Sequence, residues 1–368
     1  MAGSVPELDR KQVIGYRVAA QQLDRSTTDP AALAVLDLGV QDTPQGSAVL
    51  ALAARTGAAP GESDDLVLAW SWRGAPHLQR RARAAILAAA LWPLSDADAT
   101  ARIGTPKIKE GAKLGRAAFT AAAQAMHDVV HDRPMAKGEV STAVSARVPA
   151  SLTYWCEPCA AQHISGSLFQ QVGLLAGVEL EAGAKSTTLK PMPGRGAVPE
   201  QAEGTSAAVA DYLRLLGPAT VAHVAKFLGT GKREAQRAWP EDLAEVRVAG
   251  EPAWIPQDRL DALLKAPKPR STRLLPASDP YLQAGDRDLI VPDRAHQSAI
   301  WKPLGNPGAV LVDGEIVGTW RARAAGKRLD VSVAGFEALP ARVRAEIQTE
   351  AGSVAAVRGA GDLRVEFG

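Results

Sequence analysis

The 368-residue chain holds two cysteines, Cys156 and Cys159, three positions apart, with His163 four positions further on. Two thiols and an imidazole at this spacing make part of a zinc site, because structural zinc takes four nitrogen or sulfur ligands. With no other cysteine in the chain, His77, His127, His131, His223 or His296 would have to complete the set from a distance. Two reduced thiols at a turn beside a satisfied histidine is the simpler reading, so no metal is expected. Two neighbouring cysteines cannot hold so long a chain together, which excludes a disulfide framework. No Walker-type phosphate loop, dinucleotide fingerprint or His-Glu-x-x-His helix is present, and the surroundings of Gly104 and Gly111 do not follow a strand. Chemistry that depends on a nucleotide or other cofactor is therefore not expected.

The basic residues point to a polyanion. Overall charge says little, since 42 Lys and Arg against 40 Asp and Glu leave +2. The distribution is uneven, however. Between His77 and Ala118 stand Arg80, Arg81, Arg83, Arg102, Lys107, Lys109, Lys113 and Arg116, against the acids Asp96, Asp98 and Glu110. A second group is Lys265, Lys268, Arg270 and Arg273, and a third is Arg321, Arg323, Lys327 and Arg328. Any one of these reads as solvated surface; three together favour phosphate. Composition, at 46% hydrophobic and 22% charged, is that of an ordinary folded protein. The N-terminal residues show no basic stretch leading into an apolar one. The longest apolar run, residues 84–92, falls well short of the roughly 20 residues a membrane helix needs. A cytoplasmic protein with no membrane partner is expected.

The elements that would position such residues read as helices followed by hairpins. Val13, Tyr16, Ala20 and Leu23 recur on one helical face after Ser4 and Pro6, and the helix is expected to run to about Asp24. Asp29-Pro30 begins a short second helix stopped at Gly39, and the run from Val49 to Ala54 forms a third, ending before Gly57. Leu66 to Trp72 is a strand, Gly74 and Pro76 a turn, and His77 starts the next helical region. The clearest unit follows Ala210. Its helix ends at Gly217-Pro218, further helices run over 220–228 and 232–239, and strands at 245–248 and 253–255 flank a turn at Gly250. That order is a helix-turn-helix with a hairpin wing. A blurrier copy spans 114–182, and the proline- and glycine-rich segment 185–203 reads as an exposed linker. After Arg273 short strands take over, including Leu289-Ile290-Val291 and the pair flanking Asp313-Gly314, the best hairpin turn in the chain. The expected fold class is α+β and mostly helical: tandem winged-helix units over 1–110, 111–184 and 204–264, with a β-rich, barrel-like region over 265–368.

Several segments together resemble the AlkZ-like winged-helix DNA glycosylases. They are Gly39-Val40-Gln41-Asp42-Thr43-Pro44 with Gly46-Ser47-Ala48, and Trp70-Ser71-Trp72-Arg73-Gly74-Ala75-Pro76-His77. Further along come Leu274-Leu275-Pro276-Ala277-Ser278-Asp279-Pro280-Tyr281 and the stretch from Val310 to Trp320. The resemblance implies a concave surface for duplex DNA and hydrolysis of the N-glycosidic bond of bulky or N7-alkylated purines, interstrand crosslinks included. It implies a Gln-x-Gln or Gln-x-Asp catalytic motif, matched here by Gln41-Asp42-Thr43, with Thr43 in place of the last residue. A cationic alkylpurine leaves readily, so the site would need mainly to place water and stabilise an oxocarbenium-like sugar. Gln41 would hold that water through its amide oxygen, with Asp42 or Thr43 assisting. The alternative for Gln41 is a polar brace of the turn before Pro44. Arg73 is expected on a phosphate and His77 on a phosphate or base edge, with Lys107, Lys109, Arg321 and Arg323 as further DNA contacts. Trp70 and Trp72 are expected in the core. Two functions follow: a DNA glycosylase of repair or self-resistance, and a non-catalytic, regulatory DNA-binding protein.

Overall fold

The computed structural model describes residues 4–58, 61, 63–182 and 187–368. It is 44% helix and 22% strand, a mixed α+β chain and not a predominantly β one. The first strand, β1 (Glu7–Leu8), pairs in parallel with Leu243–Val248, which forms a hairpin with Glu251–Pro256. The residues expected to open a helix from Ser4 thus add a strand to the chain's third helical unit instead. Helix α1 (Arg10–Ala20) begins only at Asp9, whose carboxylate accepts from the Gln12 backbone N–H while the Gln12 side chain accepts from the Asp9 N–H. This reciprocal cap sets the start, and Val13, Tyr16 and Leu23 are buried as their spacing requires.

The second expected helix is two short 3₁₀ turns, Pro30–Ala32 and Ala34–Asp37, the first capped by Asp29. They lead into β2 (Val40–Gln41) and then α2 (Ser47–Thr56), which stops at Gly57 with φ +85°. Next come β3 (Leu66–Trp70) and β4 (Pro76–Arg80), and the three strands form a sheet in the order β2-β4-β3. Residues 76–80, read from sequence as a turn entering a helical region, are the central strand of that sheet. Trp70 and Trp72 are buried, the first edge-on to Phe169 and the second against Phe227.

Thr205–Leu216, Val221–Leu228 and Lys232–Arg237 are helices leading into the Leu243–Pro256 hairpin, in the expected order. Part of the expected linker is structured: Thr187–Pro191 is a strand between Met135–Ala136 and Val178–Ala182, and Leu189 is fully buried. Residues 185 and 186 of that segment lie outside the described residues. Leu289 and Ile290 belong to the short helix Arg287–Ile290 and not to a strand; an apolar run of that length fits either.

The C-terminal region is an open sheet, not a closed barrel. Thr272–Leu275, Gly308–Val312, Glu315–Ala325, Arg328–Gly335 and Asp362–Phe367 lie side by side in chain order, so the first and last strands remain edges. Asp313 and Gly314, at φ +49° and +88°, make the two-residue turn that needs positive φ at both positions. Helix Ala341–Val357 covers one face, burying Val343, Ile347 and Val354 against Val310, Leu329 and Val331. One large apolar core runs from Ile14 to Ile316, so the N-terminal, middle and 205–238 regions share a single interior, while the Leu243–Pro256 hairpin packs in a smaller cluster with Leu8, Val13 and Tyr16.

Two ion pairs, one fully and one largely buried, lock the first helices to the segment between the first two strands of the C-terminal sheet. Arg55 and Asp279, both fully buried, meet through two 2.8 Å bonds, and Arg55 also donates to the Gln21 and Ala51 carbonyls. Arg17 makes the same kind of fork with Asp286 and donates to the Gly217 and Pro218 carbonyls. Geometry of this kind, with all five Arg55 donors and four of the five Arg17 donors used, is what makes a buried pair tolerable.

Candidate active-site cleft

The β2-β4 register places Gln41 directly opposite His77 and Val40 opposite Leu78. Because paired residues share a face and alternate along a strand, Gln41, His77 and Gln79 project to the same side of the sheet. Gly39 precedes them at φ +79°, and a Cβ there would come within 3.2 Å of the His77 Cβ. Glycine therefore permits both the turn and the close approach. Gln41 and His77 line a small cleft of about 20 Å³, room for about one water, together with Gly39, Phe227, Ser278 and Gln283.

His77 is 2% exposed. Its Nδ1 lies 2.8 Å from the Ala75 carbonyl, which can only accept, so Nδ1 carries the proton and Nε2 is left with a lone pair. Burial, and then the Arg73 guanidinium, lower its pKa to about 3 against the opposing pull of the Ala75 carbonyl. The imidazole is thus neutral at any physiological pH. His77, expected on a phosphate or a base edge, presents no cation for a phosphate; it is a neutral acceptor facing the strand that carries Gln41.

Arg73 sits at the rim with its backbone at φ +58°, a conformation that costs a non-glycine residue about 1 kcal/mol. Its guanidinium reaches the Phe227 carbonyl and lies 5.2 Å from the Phe227 ring centroid. It also makes long, 3.4 Å contacts with the side-chain oxygens of Gln41 and Gln283. Gly229, at φ +71°, makes room for it, since a Cβ there would come within 2.9 Å of Arg73 Cγ. Arg73 therefore joins the cleft residues from three regions of the chain.

The other two motif residues are placed differently. Asp42 donates its N–H to the Pro76 carbonyl, and its carboxylate accepts from the Ala48 N–H at 2.9 Å, capping the start of α2. Thr43 is exposed, and its carbonyl accepts from the Ser278 hydroxyl. Gln41 alone of the three lines the cleft.

Sequence reasoning missed four residues here. Gln79 is fully buried, with neither its amide oxygen nor its nitrogen hydrogen-bonded to protein. Such an orphan is rare and costly, and beside a cleft it marks a place for water. Ser278, Asp279 and Gln283 belong to the wall held by Arg55; the quoted Leu274 to Tyr281 segment contains the first two, but nothing in it signals a cleft.

The predicted phosphate contacts lie elsewhere. Of the eight basic residues around Lys107, six are used internally: Arg80 and Arg83 on Asp37, Arg81 on Glu179, Arg102 on Asp98, Lys113 on Glu110 and Arg116 on Asp96. Lys107 and Lys109 are exposed and form no salt bridge among the described residues; Lys107 lies 4.1 Å from the Tyr154 ring centroid. Arg321 and Arg323 are exposed on one face of their strand, Arg321 donating to the Gly305 carbonyl. No helix among the described residues is long and apolar enough to cross a membrane.

Residues 35–357 match the family described as DNA glycosylase AlkZ-like, a span that includes the whole β2-β4-β3 sheet and both walls of the cleft. The chain belongs to this family, which places it among DNA-glycosylase-like repair proteins whose substrate is DNA. Its fold is similar to that of the Streptomyces sahachiroi DNA glycosylase AlkZ, at a TM-score of 0.75 and 22% identity, covering 98% of this chain and 100% of the other. No protein of curated function matches the chain in sequence.

Proposed function

We propose that the protein hydrolyses the N-glycosidic bond of a bulky or N7-alkylated purine in duplex DNA, with Gln41 positioning the attacking water in the cleft it shares with His77. The observation that carries this reading is the pairing of Gln41 with a buried, neutral His77 on the floor of a cleft in a chain of this family. The cleft offers amides and an imidazole lone pair but no strong acid, which suits a leaving group already cationic and able to depart unprotonated. Gln79, with no protein partner, is suited to hold a second water behind the first. Arg73 at the rim suits a phosphate beside the extruded nucleotide. The 205–256 helices and hairpin act as a winged helix, and Lys107, Lys109, Arg321 and Arg323 hold the flanking backbone. An interstrand crosslink falls within the same lesion class.

The non-catalytic reading draws on one observation: Asp42 is committed to the α2 cap and Thr43 points to solvent, so the motif supplies one cleft group and not two. Single-turnover incubation with duplexes carrying an N7-alkylguanine, a bulkier purine adduct or a crosslink, followed by alkaline cleavage, separates the two. Abasic-site formation on at least one lesion is expected; tight duplex binding with no release from any of them would leave the regulator.

A further inference from the structure

The second cluster of chemically active side chains lies away from the cleft, at the tip of the hairpin formed by Thr153–Cys156 and Ala161–Ile164. Tyr154 pairs with His163 and Cys156 with Ala161, so alternation puts Cys156 and His163 on the same face. The 3₁₀ turn Glu157–Cys159, followed by Ala160 in the left-handed region at φ +47°, folds Cys159 back over that face. As a result, one ligand atom from each of Cys156, Cys159 and His163 lies within 4.8 Å of the others. Both cysteines are free thiols.

The histidine is not satisfied, as the sequence suggested it would be. Its Nδ1 is 3.5 Å from the Ser141 hydroxyl, while its Nε2 is buried and without any hydrogen-bond partner. A buried imidazole nitrogen left bare beside two thiols has one common explanation, a cation they share. From this geometry we propose that Cys156, Cys159 and His163 bind a thiophilic divalent cation, zinc by its preference for this sulfur and nitrogen set, with water as the fourth ligand. Zinc at about 2.3 Å from sulfur and 2.0–2.1 Å from nitrogen needs ligand atoms roughly 3.5–3.8 Å apart. Drawing them in by about 1 Å is within reach of rotation about the exposed Cys159 side chain. Two thiolates balance the charge of the ion, so the site is neutral when filled. Ser141 acts from behind, orienting the imidazole. With three protein ligands and a water the site is more open than the closed four-residue set of structural zinc, but its effect on the fold is local: a two-stranded hairpin is marginal by itself, and the ion would fix its tip and the half-exposed Trp155 it carries. The site is independent of the glycosylase reading, since none of its residues lines the cleft.

The test uses the full-length protein, purified under reducing conditions without added metal. Metal analysis is expected to find one zinc per chain. Cobalt(II) added to the zinc-stripped protein should give thiolate-to-cobalt charge-transfer absorption and tetrahedral ligand-field bands that zinc abolishes. Cys159→Ser should lower the charge-transfer intensity by about half or more, since Cys156 is the one thiolate left, and Ser141→Ala should weaken zinc binding about 10-fold. Reduced protein with two free thiols, no bound metal and a featureless cobalt spectrum would overturn the proposal. So would a reversible Cys156–Cys159 disulfide in protein that takes up no cobalt after reduction. Should Cys159→Ser fail to fold, the cobalt spectrum of the unaltered chain decides alone.

Discussion

At the scale of single residues, the cleft works through groups kept neutral. His77 is the clearest case, because its depressed pKa makes two pH dependences testable. Excision should be flat between about pH 5 and 8, the window in which an ordinary histidine titrates; an acid limb near 6.5 in a pH–rate profile would mean that His77 is charged there. The stability effect has a definite sign. In the unfolded chain His77 binds a proton at 6.5, in the fold only at about 3, so its contribution is fully present above pH 6.5 and declines as pH falls toward 3. Urea melts across that range should show the decline, and His77→Gln should flatten it. The sequence singled out Arg73 as a phosphate contact, but its placement over Phe227 was not legible there, since that contact bridges 154 positions. Asp42 read as chemistry and proves to be a helix cap, a role the Asp-x-x-x-Gly-Ser pattern also allowed.

At the scale of elements, the strand most important to the site was the hardest to read. In β4 the buried positions are His77 and Gln79, while Leu78 between them is only partly buried. Polar residues on the inward face erase the alternation that identifies a strand, and such local failures gather where function has displaced packing. The strands and hairpins after residue 205, whose inward positions are apolar, were mostly visible for the opposite reason. The barrel-like expectation failed because strand patterns show faces and not closure. The wall opposite β4 depends on the Arg55–Asp279 pair. Asp279→Ala should lower stability by about 3–5 kcal/mol, leaving a buried guanidinium unpaired. A double variant, Arg55→Met with Asp279→Leu, should lose less than that in the same urea melts, because no charge remains buried; an equal or larger loss would show that the pair does more than neutralise itself.

At the scale of the whole molecule, near-zero net charge leaves DNA affinity to where the unpaired cations stand. Lys107, Lys109, Arg321 and Arg323 form no salt bridges among the described residues, whereas most of the neighbours that made the first basic cluster conspicuous are paired with carboxylates of the same chain. Duplex affinity should fall steeply between 50 and 200 mM salt. Lys107→Glu with Lys109→Glu should weaken binding to every sequence alike and reduce the salt slope by about 2, as should Arg321→Glu with Arg323→Glu. An unchanged slope in fluorescence anisotropy titrations would remove those residues from the interface. The claim on which the rest depends is that Gln41 places the attacking water, and single-turnover kinetics test it directly. With enzyme saturating an N7-alkylguanine duplex, Gln41→Ala should slow excision about 100-fold while the Kd for the same duplex stays within a factor of about 2. Equal excision rates for the two proteins at matched occupancy would contradict it.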